Sequence, residues 1–258
     1  MNAAHRQQVA AAFGGARDYS GNAGIQRKVA AELAAHIAAI KLPPAPQILE
    51  IGCGTGFLTQ ELLDRRLGGD WLVTDKSPDM VERCRDAVGD APGRDFAMLD
   101  GEYGMADHHE QYDLICASMA MQWFDDLGEA VARMVQKLVP GGHLVFNTLA
   151  SATFREWREA HRESGQGDGA IAFPTVPVLR DMMAQFAPAV FAVTTHTETH
   201  ADAREFLARL KLIGAATARI GHRPLAPRAL KQVMARFDAQ GAGVTYEVVT
   251  CHIVRGAA

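Results

Sequence analysis

Apolar residues recur at Ile25, Val29, Leu33, Ile37 and Ile40, the spacing of one helix face, until Pro43-Pro44-Ala45-Pro46 stops the pattern. A short apolar run follows at 47–51 and ends in Gly52-Cys53-Gly54-Thr55-Gly56, after which Leu58, Leu62 and Leu63 return to helical spacing. This predicts strand, glycine turn, helix. The alternation continues with a strand at 71–75 and a helix opening at Ser77-Pro78 that turns Val81, Cys84 and Val88 inward. Strands are expected near 95–100 and at 112–118. A helix through Leu127, Ala130, Val131, Met134, Val135 and Leu138 is expected to end at Val139-Pro140-Gly141-Gly142, before a strand at 143–149. Repeated units of this length predict an α/β protein with a mostly parallel sheet and helices on both faces.

From Ser151 the pattern changes. A short charged helix over 154–163, a glycine-rich loop at 165–169 and a helix over 176–186 precede a strand at 190–198. Asp202 and Glu205 have the spacing of a capping box for a helix that follows. The last strand, 244–254, alternates apolar and polar positions, which predicts one half-solvated face. The expected organisation is therefore N-terminal cap helices at 1–44, a core at 45–150, a lid or substrate lobe including strand six at 151–243, and a final antiparallel strand of the core sheet at 244–258.

Composition narrows the class. Of 258 residues, 48 % are hydrophobic and 22 % charged, which excludes disorder, collagen repeats and a disulfide-rich miniprotein. Cys53, Cys84, Cys116 and Cys251 form no C-x-x-C and have no His at metal-ligand spacing, so a reducing compartment and no metal are expected. No apolar run approaches the ~18 residues of a membrane span, and the first residues lack a signal peptide's apolar region. The expectation is a cytoplasmic protein without a membrane anchor. The net charge of −4 is unevenly spread: residues 204–236 hold eight Lys or Arg against Glu205 alone, a balance of +7, leaving −11 on the other 225 residues.

The glycines of Glu50-Ile51-Gly52-Cys53-Gly54-Thr55-Gly56 stand where a strand becomes a helix, where backbone comes close to a ligand and helix N–H groups face it. A nucleotide-like cofactor is implied. A dinucleotide fingerprint starting at Gly52 would need glycine at position 57, which is Phe57. Asp75 ends the second strand 23 residues after Gly52, where a carboxylate takes both hydroxyls of a ribose.

Together with Asp100 after the third strand and Leu138-Val139-Pro140-Gly141-Gly142 before the fifth, these features resemble the class I S-adenosylmethionine-dependent methyltransferases over about residues 45–150. The resemblance implies a Rossmann-like fold with a seven-stranded sheet and a helical lobe inserted after strand five. It implies that Glu50 and the turn at Gly52, Cys53, Gly54 and Gly56 hold the methionine part and that Asp75 binds the ribose. Met80 would flank the adenine and Asp100 bond its amino group, with Gly101 and Glu102 beside it. Ser118 would border the sulfonium and the acceptor.

The acceptor is read from other residues. Amino-directed relatives often carry Asp or Asn followed by Pro-Pro-Tyr after the fourth strand, whereas Ser118-Met119-Ala120-Met121-Gln122-Trp123 stands here. A hydroxyl acceptor needs a metal or base; His161, His196 or His200 from the lobe would have to serve, and each reads first as a surface histidine. A carboxylate is already ionised at neutral pH and needs only alignment and shielding from water.

A finer resemblance joins Phe13, Arg17-Asp18-Tyr19, Ala23 and Gln26, the Ser118 to Trp123 segment, Phe146-Asn147-Thr148-Leu149, Leu210-Lys211-Leu212-Ile213-Gly214-Ala215 and Val244-Thr245-Tyr246-Glu247 to the malonyl-acyl-carrier-protein O-methyltransferases of biotin synthesis. Two departures, Ala120 and Thr55, leave the acceptor open. The resemblance implies methylation of the free carboxylate of a malonyl thioester on an acidic acyl carrier protein, or of malonyl coenzyme A. Tyr19 would bond the methionine carboxylate or serve as a helix-entry tyrosine, and Gln122 would hold the malonyl group. The basic stretch, with Arg204, Arg209, Lys211 and Arg219, would dock the acidic carrier. Another small carboxylate or hydroxyl acceptor is the first alternative. A non-catalytic cofactor-binding module is the second, or a nucleic-acid partner, disfavoured by the negative net charge and the lack of interleaved aromatics.

Overall fold

In a computed structural model, the apolar run before the glycines is β1 (Gln47–Ile51), with the last four of its five residues buried. The residues described are 24–107, 111–167, 172–186, 189–212 and 225–256. Tyr19, Arg219, the remaining motif positions before residue 24 and residues 213–215 lie outside them.

Four further strands, β2 (Asp70–Asp75), β3 (Arg94–Met98), β4 (Tyr112–Ala117) and β5 (Leu138–Leu149), alternate with helices α1 (Gly24–Ala38), α2 (Phe57–Asp64), α3 (Pro78–Val88) and α4 (Leu127–Gln136). β1 pairs in parallel with β2 and with β4, β2 with β3, and β4 with β5. After β5 come α5 (Arg155–Glu163), α6 (Val176–Met183), β6 (Ala189–Thr199), α7 (Ala203–Leu212), α8 (Pro227–Ala239) and β7 (Gly243–Val254). The seven strands are ordered β3-β2-β1-β4-β5-β7-β6. β7 runs antiparallel to β5: Gly141 and Gly142 bond Arg255 near the start of β5, and Ala150 bonds Glu247 just past its end.

The chain forms two compact units. One gathers Gly24–Thr148, Pro177–Val193 and the chain from Val249; the other, among the described residues, gathers Leu149–Val176 and Thr194–Val248. In the first, Leu33, Ile37, Ile48, Leu62, Trp71, Val73, Leu114 and Val145 build a core from strands β1, β2, β4 and β5 and helices α1 and α2. In the second, Phe154, Trp157, Phe206, Phe237 and Tyr246 pack edge-on or stacked, with ring centroids 5.2–5.7 Å apart.

Three elements differ from the sequence pattern. Val139-Pro140-Gly141-Gly142 does not end a helix before a separate strand; it lies inside β5, and Leu138 pairs with Tyr112. Between the Tyr112–Leu138 and Leu114–His143 pairs the register shifts, so extra residues bulge from β5. Gly142 is required there, since a Cβ would stand 2.9 Å from the carbonyl oxygens of Tyr112 and Val139. Helix α8 was not expected within the basic stretch; Pro227 opens it, and only Val233 and Phe237, four apart, are buried. β7 does not keep one half-solvated face. It alternates only from Val249, because β5 and β6 flank it and its first half is buried almost throughout. The capping box at α7 forms as expected, Asp202 accepting the Glu205 N–H at 2.9 Å while the Glu205 carboxylate accepts the Ala201 N–H at 2.6 Å.

Candidate active site

Strand order reverses direction between β1 and β4, and at such a switch point the carboxyl ends of parallel strands leave a crevice. Glu50, Asp75, Asp100 and Ser118 come from the ends of β1, β2, β3 and β4 or just beyond them. Each backbone turn there is held by side chains. Asp75 Oδ2 accepts the Gly54 N–H at 3.0 Å and Oδ1 the Ser77 N–H at 2.8 Å, while Cys53 N–H donates to the Thr74 carbonyl at 2.8 Å. Burial raises the Asp75 carboxyl above its ordinary range, against the lowering pull of those two N–H groups.

The turn needs its glycines. Gly52 has φ +71°, and a Cβ there would stand 2.4 Å from Ala120 Cβ; Gly54 has φ +54° with open space about it. Within this turn Thr55 Oγ1 is buried and has no partner among the described residues. Glu50 is 1 % exposed, takes a 2.8 Å bond from the Thr59 hydroxyl, and is pushed up to about 7 by burial. Open space about Gly54, an unpaired hydroxyl and a buried carboxylate with spare acceptor capacity suit a ligand bearing an ammonium and hydroxyl groups.

Asp100 Oδ2 pairs with Lys76 Nζ at 2.8 Å, and Oδ1 accepts the N–H of Glu102 at 3.1 Å and of Tyr103 at 3.3 Å. Gly101 is pressed on Ile51, whose Cγ2 would lie 2.3 Å from a Cβ. Met80 is buried on α3. Glu102 is buried too, and its Oε1 accepts the N–H groups of Asp125 and Asp126, both at 2.8 Å, which caps the entry to α4. The neighbouring thiols are subdued: Cys84 beside it, together with burial, pushes the Cys53 thiol well up, and burial does the same to Cys116.

After β4 the chain turns through Met119 at φ +52°. Asn147, fully buried on β5, accepts the Met119 N–H at 2.6 Å and reaches Ser118 Oγ at 3.5 Å. Gln122 donates to the Met119 carbonyl at 2.6 Å, leaving its own Oε1 buried without a partner among the described residues.

Residues 49–144 match the family described as a methyltransferase domain. The chain is 36 % identical to a malonyl-acyl-carrier-protein O-methyltransferase of Magnetococcus marinus, covering 92 % of this chain and 88 % of that one. It belongs to the malonyl-acyl-carrier-protein O-methyltransferase family. A Biotin biosynthesis bifunctional protein BioCD of Bordetella avium is 44 % identical over 93 % of this chain, which spans 51 % of that longer protein. In solved structures the fold is similar to the N-methyltransferase NodS of Bradyrhizobium japonicum, in complex with S-adenosyl-L-homocysteine (TM-score 0.56, 16 % identity, covering 98 % of this chain and 97 % of that one).

For this family member, the structure places Glu50, Gly52, Cys53, Gly54, Gly56, Asp75, Asp100, Gly101 and Ser118 along neighbouring strand ends. Arg204 and Lys211 are exposed on α7, and Arg209 pairs with Glu205 at 2.9 Å. The lobe histidines are not surface residues: His161, His196 and His200 are 4 %, 7 % and 5 % exposed. His161 stacks edge-on with Trp157 and bonds the Gly167 carbonyl at 2.8 Å, and His200 lies against Phe206, so the aromatic interior absorbs these two. Sequence reasoning assigned no role to Thr59 or Asn147. Thr59 lies nine residues after Glu50, in the first turn of α2 on the face it buries with Leu58 and Leu62, a position that helical spacing marks. Asn147 had one signal, a lone amide inside an apolar strand.

Proposed function

We propose that this chain transfers the methyl group of S-adenosylmethionine to the free carboxylate of a malonyl thioester on acyl carrier protein, making the malonyl methyl ester that primes pimeloyl synthesis for biotin. The observation that carries this reading is the 36 % identity extending over 92 % of the chain to a protein of that activity, with the glycine turn and its Asp75 anchor intact. A cytoplasmic setting suits four buried, unbridged cysteines, and among the described residues no helix is long and apolar enough to cross a membrane.

Residues 45–150 serve the methyl donor. Asp75 accepts the ribose hydroxyls with the lone pairs its two N–H bonds leave free, and Glu50 accepts the donor's ammonium. Met80 and Asp100 flank and bond the adenine, with Gly101 and Glu102 shaping that wall. When bound, S-adenosylmethionine supplies a methyl on a cationic sulfur, which a carboxylate oxygen displaces in line: the C–O bond forms, the S–C bond breaks, and its electron pair stays on sulfur. Ser118 and Gln122 border the acceptor oxygen. No base is required, because the nucleophile is ionised, and the chain contributes alignment and exclusion of water. The lobe within 151–243 selects the acceptor, with Arg204, Arg209, Lys211 and Arg219 drawing in an acidic carrier, and the role assigned to Tyr19 is a hydrogen bond to the methionine carboxylate.

Incubation with methyl-labelled S-adenosylmethionine and malonyl-acyl carrier protein tests this. Label recovered in a base-labile ester is the expected result. Donor binding without transfer to that acceptor overturns it.

A further inference from the structure

The peptide of Met119 is gripped from both sides by side chains of different elements. Its N–H is taken by Asn147 on β5 and its carbonyl by Gln122 three residues on, and Met119 itself stands at φ +52°, a conformation that a residue with an L side chain seldom adopts. A free loop would not hold Met119 there. The left-handed conformation of a non-glycine residue persists only where its surroundings over-determine it, and such residues cluster at functional sites. Here the same turn carries Ser118 and Gln122, and it brings Ala120 against Gly52, where an added Cβ would stand 2.4 Å from Ala120 Cβ.

The direction of each bond is determined by chemistry. The Met119 N–H can only donate, so Asn147 must present Oδ1 to it and Nδ2 toward Ser118 Oγ. The Met119 carbonyl can only accept, so Gln122 must present Nε2, and its Oε1 is turned away, buried and open to a donor. Removing Asn147 would leave a part-buried N–H without its acceptor and release the turn that aims the other two groups.

We propose that Asn147 is a positioning residue for methyl transfer: by fixing Met119 in the left-handed conformation it sets Ser118 and Gln122 at the acceptor position. This rests on the malonyl-carrier reading for the identity of the acceptor, but not for the existence of the clamp. The glycine turn is anchored separately, by the Asp75 carboxylate and the Thr74 carbonyl, so loss of Asn147 should weaken donor binding less than it slows turnover.

The test compares Asn147→Leu, which keeps volume and loses the acceptor, with Asn147→Asp, which keeps an oxygen for the Met119 N–H, and with Asn147→Leu combined with Met119→Gly. Three quantities are measured: turnover on malonyl-acyl carrier protein, S-adenosylhomocysteine affinity, and amide exchange of the 118–123 segment. Asn147→Leu is expected to lower kcat by about tenfold, the population lost when a left-handed residue costing about 1.4 kcal/mol is released, with homocysteine-product affinity changed less than about threefold and amide exchange accelerated. Asn147→Asp should retain most of the rate. Met119→Gly should recover at least about threefold of the loss, because glycine occupies positive φ without strain. A purely packing role for Asn147 predicts no recovery by glycine, and that result overturns the proposal, as does unchanged exchange in Asn147→Leu. If wild-type protein leaves malonyl-acyl carrier protein unmethylated, the acceptor reading fails while the exchange data still decide the clamp.

Discussion

The turn after β1 and the interior of the second unit solve different problems. One carboxylate, Asp75, holds the Gly54 N–H of this turn and the Ser77 N–H that follows β2, and the neighbouring Glu50 is kept almost wholly out of water. In the second unit, Phe154, Trp157, Phe206 and Phe237 meet ring against ring, with charges such as Arg204 and Lys211 at the surface. A few directional bonds specify a geometry at the first place, and buried area supplies stability at the second. Damage to the turn should therefore appear in ligand affinity, and damage to the rings in folding.

The sharpest separation comes from Phe206→Ala. Removing a ring that is 1 % exposed should destabilise the protein by about 4 kcal/mol in denaturant titrations, while affinity for S-adenosylhomocysteine in the folded fraction stays within twofold. A folded variant that no longer binds would break the contrast. Asp75→Ala should do the reverse: about 3 kcal/mol of donor affinity lost by calorimetry, from the ribose contact and from two backbone N–H groups left without their acceptor. Unchanged affinity would remove Asp75 from the donor site.

Glu50 sharpens the comparison through pH. Burial pushes its carboxyl up to about 7 in the fold against 4.5 for a carboxyl free in water, so the native state binds more protons across that window. This group's contribution to stability falls as pH rises from 4.5 to 7. Glu50→Gln lacks that loss and should be more stable than wild type by about 2 kcal/mol at pH 8, after the altered Thr59 bond is offset. Near pH 4 the order should reverse, Glu50→Gln being less stable than wild type by about 1 kcal/mol, because only the altered Thr59 bond then separates the two. Donor affinity of the wild type should weaken below pH 7, where Glu50 becomes neutral. A pH-independent stability difference would contradict the buried-carboxylate account.

The smallest effect is expected at the surface. Reversing Arg204 and Lys211 to Glu should raise KM for the carrier-linked substrate several-fold, on the order of 1 kcal/mol, and more at low salt than at high. KM for malonyl coenzyme A should move less. Equal shifts for both substrates would exclude carrier docking at this face.

Much of the first unit was legible. Strand, glycine turn and helix at 47–64 follow from an apolar run, the spacing of Gly52, Gly54 and Gly56, and the return of helical periodicity, because all three signals are local. The bulge in β5 was not, since Pro140-Gly141-Gly142 carries the same punctuation whether it ends a helix or interrupts a strand, and only pairing with Tyr112 and Arg255 distinguishes them. Helix α8 escaped because its buried residues, Val233 and Phe237, are too few to mark a face. His161, His196 and His200 were misplaced at the surface because polarity suggests exposure, whereas all three are buried, His161 and His200 against ring neighbours.

What the chain by itself determined is the order of its elements and the identity of the groups near β1 and β2, for glycine spacing and a strand-ending aspartate are statements about consecutive residues. What the tertiary structure decided is which side chains hold those groups in place. Asp75 reaches Gly54 across 21 residues, Asn147 reaches Met119 across 28, and Glu102 reaches Asp125 across 23. Such bonds depend on strand order and register, and these follow from burying all the apolar faces at once.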